Sequence, residues 1–202
     1  GARATIEEEV EGAGTNLVIV SAGNWTSGGV RLGMGSSSTL SADDAEAIRG
    51  LSGVAYVSEG VRTRQQMIAG AQNWNANVEG VSADLPMIRD WPLEYGTFFG
   101  PGDVANVEKV VVIGTEVRDA LFGVGANPVG RQVRLGIHPF RIVGVLSSKG
   151  QSSGGDDQDD AVFIPYTTAQ KRIMGVDYLR TISISAASAE LVTPVSREVT
   201  EL

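Results

Sequence analysis

The chain contains 202 residues, of which 42% are hydrophobic and 20% are charged, and its formal net charge at pH 7 is −8. This composition is typical of a folded globular protein, and the acidic balance argues against a nucleic-acid partner, because such binding depends on lysine and arginine neutralising phosphates. The absence of cysteine excludes disulfides, thiolate metal sites and cysteine nucleophiles.

Periodicity divides the first sixty residues into a short helix, a strand, a loop, a second helix and a second strand. In that order the segments are 5–11, 17–20, 21–39, 42–53 and 54–57. Ile6 and Val10 lie one helical turn apart on one face of the first segment. Ser41 and Asp44 form the pattern of a capping box, in which each side chain satisfies the other residue's backbone N–H. After its short first helix, this region therefore predicts a strand–helix–strand unit.

The same order of elements returns near the C-terminus. The predicted strand, helix, strand and final helix are residues 162–164, 167–174, 180–185 and 194–202. Thr167 is the expected cap of the first of these helices, and Thr193 caps the second so that Pro194 occupies its first position. Ile182 and Ile184 alternate with hydroxyl-bearing residues, which predicts a strand with one buried face and one wet face.

The middle of the chain is rich in predicted strands. The segments are a hairpin of 65–69 and 74–81 around a turn at 70–73, a strand at 110–113, a helix at 116–122, and paired strands at 132–135 and 140–146. The predicted class is α+β. Two βαβ units, residues 1–62 and 162–202, form one layer, and a mainly-β subdomain, residues 63–161, is inserted between them.

No motif for phosphate binding or catalysis is complete in this sequence. None of its G-x-G pairs completes a dinucleotide fingerprint, and no Gly-Lys pair exists to form a Walker A loop. The four aspartates within residues 156–160 lack the spacing of a calcium loop, so the simplest interpretation is a solvated, extended loop. His138 is the only histidine and is expected to be structural, in a turn before Pro139. We therefore expect no catalytic residue, cofactor or metal in this chain.

Two loops are candidates for contact with a partner protein. Trp25 lies in the Gly- and Ser-rich loop, and aromatic anchors often dominate interfaces. The second candidate is the acidic loop at 151–160, in which Gln151, Asp156 and Asp157 are the proposed contacts. Both choices rest on expected exposure.

The chain has features of a piece taken from a longer protein. It begins at Gly1, and its first methionine is Met34. No unbroken apolar run approaches the ~20 residues that are needed to span a bilayer. We therefore expect that a hydrophobic anchor lies outside this sequence.

Seven segments in order carry a family resemblance. They are GTNLVIV (14–20), LSADDAEAIRGLSGVAYVSE (40–59), VEGVSADLPMIRDWPLEYGTFF (78–99), VVIGTEVRDALFG (111–123), NPVGRQVRL (127–135), FRIVGVLSSKG (140–150) and DDAVFIPYTTAQKRIMG (159–175). Each is short, but their order resembles the extracytoplasmic core domain of MacB-type ABC transporter permeases, a group that includes the lipoprotein-releasing permeases. Thr97 departs from the pattern, since the family usually has arginine there.

The resemblance implies a porter-like subdomain built from the two βαβ units, on the periplasmic side of the bacterial inner membrane. It also implies a homodimeric permease with four membrane helices per subunit, in which this domain lies between the first and second helices. The implied partners are those membrane helices, a cytoplasmic ATP-binding domain or subunit, a periplasmic adaptor and an outer-membrane channel. ATP hydrolysis would occur outside this chain.

The leading functional hypothesis is transmission of ATP-driven motion from the membrane to the periplasm, for export of a substrate. A second hypothesis is extraction of lipoproteins, which requires an apolar groove that the sequence does not show. A third is a sensor or binding module that signals without transport. The last is an enzyme that uses His138 and the aspartates of the acidic loop.

Overall fold

The secondary structure alternates strands with short helices. A computed structural model describes residues 4–9, 16–22, 26–27, 30–31, 40–150 and 157–201. The strands are β1 (Ala4–Glu9), β2 (Leu17–Ala22), β3 (Thr26–Ser27), β4 (Val30–Arg31), β5 (Val54–Ala69), β6 (Gln72–Val81), β7 (Leu93–Gly96), β8 (Val110–Ile113), β9 (Gln132–Leu135), β10 (His138–Leu146), β11 (Val162–Pro165) and β12 (Thr181–Ala186). The helices are α1 (Ala42–Arg49), α2 (Leu85–Arg89), α3 (Pro101–Ala105), α4 (Thr115–Phe122), α5 (Tyr166–Thr168) and α6 (Val192–Thr200). A π-helical segment, Ala169–Met174, continues α5, and a 3₁₀ turn, Ala189–Leu191, precedes α6.

Ten of the described strands form one sheet. Its order is β1-β2-β12-β5-β6-β11-β8-β10-β7, and β9 pairs with both β10 and β5. The second pairing closes a ring of six strands, β5, β6, β11, β8, β10 and β9. Three of the remaining strands, β1, β2 and β12, extend from the first half of β5 as an open sheet, and the fourth, β7, pairs with β10 of the ring.

β5 is the strand shared by the open sheet and the ring. Sequence patterns predicted two separate strands in this region, but β5 runs unbroken through 16 residues. Its last pair with β12 is at Gly60, and its first pair with β9 is at Met67. The neighbour of β5 thus changes from β12 to β9 between Gly60 and Met67, a stretch that contains the predicted subdomain boundary between residues 62 and 63. The division into a porter-like subdomain and an insert stays a prediction.

The predicted short helix at residues 5–11 is wrong. Residues 4–9 form β1, which pairs antiparallel with β2 from Ala4↔Ala22 to Glu9↔Leu17. An isolated helix of this length is marginal in water, whereas pairing with β2 gives partners to the backbone groups along one edge of the strand. β2 also extends two residues beyond its predicted end, and β3 and β4 lie within the predicted loop at 21–39.

Local signals placed α1 and the β5–β6 hairpin correctly. Ser41 N donates to Asp44 Oδ2 at 2.9 Å and Asp44 N donates to Ser41 Oγ at 3.3 Å, which confirms the capping box. The helix ends at Arg49, earlier than predicted, because Gly50 forms its C-cap. The hairpin turn is tighter than predicted, since the strands already pair at Ala69↔Gln72.

Both predicted C-terminal caps are wrong. The helix after β11 begins at Tyr166, and Thr167 Oγ1 instead donates to the carbonyl of Val104 in α3 at 2.5 Å. α6 begins at Val192, so Pro194 is its third residue. Proline is tolerated there because the N–H groups of a first helical turn have no partner within the helix.

The sheet carries a hydrophobic cluster on each side. The larger cluster fills the ring and continues beneath α1, α4 and α6. The smaller one lies outside the ring, where α2 and α3 pack against β8 and β11. Its largest members are Trp91, Phe99 and Phe163. Ile182 and Ile184 of β12 are fully buried as predicted. On the opposite face, which was expected to be exposed, Thr181 and Ser183 are only partly exposed and Ser185 is buried.

Candidate functional site

The proposed partner contacts are only partly within the described chain. Trp25, Gln151 and Asp156 lie outside the described residues. Asp157 is exposed, and its Oδ1 accepts a hydrogen bond from the backbone N–H of Asp159 at 2.9 Å. Asp157 therefore shapes the turn that leads out of the acidic loop, and its role as a partner contact stays a prediction.

Asp159 closes the base of the acidic loop from inside. The residue is 7% exposed, so the interpretation of this cluster as wholly solvated is wrong. Its carboxylate accepts hydrogen bonds from Ser148 Oγ at 3.0 Å, Lys149 N at 2.7 Å and Gly150 N at 2.9 Å. A buried carboxylate requires such a set of donors, and the set joins the two ends of the loop.

The loop base is also attached to the start of α4. Glu116 N donates to the carbonyl of Asp159 at 3.2 Å, and Gly114 N donates to Ala161 O at 2.9 Å. A Cβ atom at Gly114 would overlap the carbonyl oxygen of Asp159. The glycine before α4 is therefore required by the close approach of the two backbones. β6 also contacts the loop base, because Trp74 Nε1 donates to Asp160 Oδ1 at 2.8 Å.

A buried ion pair joins α1 to β5. Glu59 is 3% exposed, and its carboxylate accepts from both terminal nitrogens of Arg49, at 2.6 and 3.1 Å. Arg49 also donates to the carbonyl of Val57 at 3.1 Å and to Glu46 at 2.6 Å. Burial by itself lowers the pKa of Arg49, but the hydrogen bonds and charge of Glu59 outweigh it and the pKa is raised. The guanidinium therefore remains charged at every pH at which the protein is folded.

Tyr166 connects the same carboxylate to α5. Burial raises the pKa of the Tyr166 hydroxyl to about 12, and the negative charge of Glu59, to which the hydroxyl donates, adds to the effect. Glu59 thus binds α1 on one side and the helix after β11 on the other. Gly80 permits this packing, because a Cβ atom there would lie 2.7 Å from Ala169 Cβ and 2.9 Å from Tyr166 Cα.

Replacing Tyr166 with phenylalanine is expected to lower the free energy of unfolding by about 1 kcal/mol near neutral pH, because one hydrogen bond to a buried carboxylate is lost. The folded-state pKa lies above the unfolded value of about 10, so this stabilisation is complete below pH 10 and disappears as the pH rises through about 12. Urea unfolding should therefore show that the difference in the free energy of unfolding between the two proteins narrows from pH 10 to about pH 12.

The exposed Tyr178 provides the control for this measurement. Tyr178→Phe removes a hydroxyl without removing a bond to Glu59, so its stability should follow that of the unchanged chain at every pH. If Tyr166→Phe were still less stable than the unchanged chain by the same amount at pH 12, the assigned hydrogen bond would be contradicted.

A cleft lies outside the ring, between β5, β6 and α2. It consists of two neighbouring cavities of about 200 and 390 Å³, whose linings have Arg62, Glu79 and Arg89 in common. Glu79 accepts one hydrogen bond from Arg62 at 3.1 Å and one from Arg89 at 3.3 Å. Arg180 lines the smaller cavity. We call this region the arginine cleft.

One wall of the arginine cleft is fixed to residues 147–149, which connect β10 to the acidic loop. Lys149 Nζ lies 4.9 Å from the ring centroid of Trp91 and donates to the carbonyl of Arg89 at 2.6 Å. Trp91 Nε1 donates to Ser147 O at 2.8 Å. Burial lowers the pKa of Lys149, and the neighbouring charge of Arg89 adds to this effect. The wall is therefore a packed element of the fold.

The described residues contain no group of three or more acidic or histidine side chains placed to hold a metal ion. His138 is the first residue of β10 and pairs with Leu135 across the β9–β10 hairpin. It is therefore in a strand, one residue beyond the turn where it was expected. Among the helices of the described chain, none is both long and apolar enough to cross a membrane.

Sequence reasoning missed the ion pair and the cleft, although one signal was available. Glu59 stands between Val57 and Val61 at the spacing of the buried face of β5, and a carboxylate at such a position requires a partner. Nothing in the pattern identifies Arg49 as that partner. The arginine cleft as a whole has no sequence signature, because β5, β6 and α2 each contribute one of the side chains that line both cavities.

The fold is that of extracytoplasmic domains of ABC-type transporters. The periplasmic region of MacB from Actinobacillus actinomycetemcomitans superposes with a TM-score of 0.77 at 24% sequence identity, over 96% of this chain and 85% of that one. The extracellular domain of the noncanonic ABC-type transporter YknZ from Gram-positive bacteria gives a TM-score of 0.67 at 17% identity, over 80% of each chain. The mixed helix–sheet class with a sheet-rich core is thereby confirmed.

The chain belongs to the family of MacB-like periplasmic core domains, which matches residues 1–202. Similar proteins are the macrolide export ATP-binding/permease proteins MacB of Hyphomonas neptunium (34% identity), Syntrophobacter fumaroxidans (37%) and Chlorobaculum tepidum (34%). The alignments cover 96%, 93% and 100% of this chain, but only 30%, 26% and 31% of those relatives. The chain thus spans about a third of their length. The predicted family and the periplasmic location are confirmed.

Proposed function

We infer that this chain transmits ATP-driven motion from the membrane to the periplasm within a MacB-like ABC transporter, and that it docks a periplasmic adaptor there. The observation that carries this inference is the family match over the whole chain, together with relatives that are named ATP-binding/permease proteins. ATP hydrolysis is assigned to a separate domain or subunit on the cytoplasmic side. The assembled transporter is proposed to be a homodimer that delivers its substrate towards an outer-membrane channel.

The architecture suits a part that carries force. β5 takes part in both the open sheet and the ring, so a displacement of one is carried to the other through a continuous hydrogen-bonded strand. The Glu59 carboxylate adds a second connection, because it binds Arg49 of α1 and Tyr166 of α5 at once. Packed interiors of this kind deform little and transmit strain.

Lipoprotein extraction receives less support from the same geometry. Acyl chains need an exposed apolar groove, whereas the arginine cleft is lined largely by charged and polar side chains such as Arg62, Glu79 and Arg89. We therefore retain export with an adaptor as the proposed function.

The test uses the full transporter that contains this chain, reconstituted in proteoliposomes. Replacing residues 1–202 with a flexible Gly/Ser linker should leave basal ATP hydrolysis measurable but abolish adaptor binding and the stimulation of hydrolysis by the adaptor. Retained stimulation after the replacement would disprove the proposal.

A matched control keeps the domain and inserts the same linker in the β5–β6 turn. Gly70 has a positive φ in this turn, and a Cβ atom there would meet no other atom within 4 Å. Insertions in exposed turns are generally tolerated, so adaptor binding and stimulated hydrolysis should persist in this variant. The comparison separates loss of the domain from the presence of a linker.

A further inference from the structure

Positive charge is concentrated in the smaller cavity of the arginine cleft, although the chain as a whole carries −8. Arg62, Arg89 and Arg180 line this cavity. Among the described side chains, Glu79 is the carboxylate that faces them, because the carboxylate of Glu59 is bound by Arg49 on the opposite face of β5. The described side chains therefore give this end of the cleft a net positive charge.

The cleft arginines retain donors for a ligand. A guanidinium has five N–H donors, and Arg62 and Arg89 each give one to Glu79. The side chains of Arg62 and Arg89 are 56% and 30% exposed, so their remaining donors reach solvent. Arg180 is exposed, and none of the described carboxylates pairs with it.

Arg62 and Arg89 are held in place before any ligand arrives. Glu79 binds two guanidinium groups at once, and the guanidinium of Arg89 also lies 5.6 Å from the ring centroid of Phe163. Phe163 is fixed by an edge-to-face contact with Trp91 at 5.8 Å. Side chains that are already ordered lose less entropy on binding, which favours affinity.

The two cavities of the cleft differ in the charges that line them. Arg62, Glu79 and Arg89 line both, but the larger cavity is also lined by Asp157 and Asp160. The carboxylates of a ligand are therefore accepted at the smaller cavity. The three guanidinium groups there come from β5, α2 and the residue before β12, and they can pair with several carboxylates of one chain.

We propose that the smaller cavity of the arginine cleft binds an acidic segment of a polypeptide, whose carboxylates pair with Arg62, Arg89 and Arg180. The assignment is independent of the transport proposal, because it concerns binding by this chain alone. Bidentate pairing of arginine with carboxylates supplies both the affinity and the preference for acidic residues.

The test measures fluorescence anisotropy of a labelled oligoglutamate peptide with the 202-residue chain at low salt. Binding is expected to the oligoglutamate but not to an oligoglutamine of equal length. Arg62→Gln/Arg180→Gln should weaken binding about tenfold or more, since both residues are exposed and their loss removes direct partners. The variant Arg141→Gln/Arg172→Gln has the same net charge and changes exposed residues outside the cleft, so it should weaken binding less than about twofold.

Three results would overturn the proposal. One is the absence of oligoglutamate binding by the unchanged chain at low salt. Another is an equal loss of affinity in the two double variants, which would show that only the overall charge matters. The third is displacement of the peptide by inorganic phosphate at the same molar concentration as by unlabelled peptide, which would identify a small-anion site.

Discussion

Replacing Arg49 with methionine is expected to lower the free energy of unfolding by about 3 kcal/mol. Glu59 would then keep its place in the interior with only the hydroxyl of Tyr166 as partner, and a buried charge that loses its counter-ion is strongly destabilising. Urea unfolding at neutral pH, followed by far-UV circular dichroism, measures the difference.

Two controls identify the buried pair as the cause. Glu46→Gln removes the exposed partner of Arg49 and should change stability by less than about 1 kcal/mol, because surface pairs contribute little. Arg49→Met/Glu59→Leu removes both charges and should recover more than half of the loss, since apolar replacements of buried pairs are often neutral. If Arg49→Met were as stable as Glu46→Gln, the role assigned to Glu59 would be contradicted.

Replacing Asp159 with alanine is the second substitution with a large expected effect, also about 3 kcal/mol. Its carboxylate accepts three hydrogen bonds, and the N–H groups of Lys149 and Gly150 would lose that acceptor near the protein interior. Hydrogen bonds to charged groups contribute about 1.5–3 kcal/mol each, and bonds within one network do not add fully.

Asp157→Ala is the matched control, because it removes the same charge two residues away. Asp157 is exposed and accepts one hydrogen bond, from Asp159 N, so the expected loss is below about 1 kcal/mol. Limited proteolysis gives an independent readout: cleavage within residues 148–160 should accelerate in Asp159→Ala and not in the control. Equal behaviour of the two variants would contradict the role of Asp159 as the closure of the loop.

Features that depend on neighbours in sequence were predictable. The capping box needs only Ser41 and Asp44, and the β5–β6 hairpin needs two strand patterns with a glycine between them. Once the turn is known, the cross-strand pair of Arg62 and Glu79 follows from the register of the hairpin. Part of the cleft was therefore within reach of sequence reasoning.

Features that depend on distant partners were not predictable. Residues 5–11 carry a weak helical pattern, and pairing with β2 decides that residues 4–9 form a strand. The ring closes through Met67↔Leu135 and Ile68↔Arg134, two pairings whose members are far apart in sequence. Asp159 reads as one member of a charged run, and its burial depends on where the strand before the loop and the start of α4 place their N–H groups.

The position of β12 has a consequence for synthesis on the ribosome. This strand is made late, yet it lies between β2 and β5, which are made early. Until residues 181–186 have left the exit tunnel, β2 and β5 each present an unpaired edge, and unpaired edges promote association between chains. The open sheet can therefore be completed only after β12 has been made, and β2 and β5 stay open to association until then.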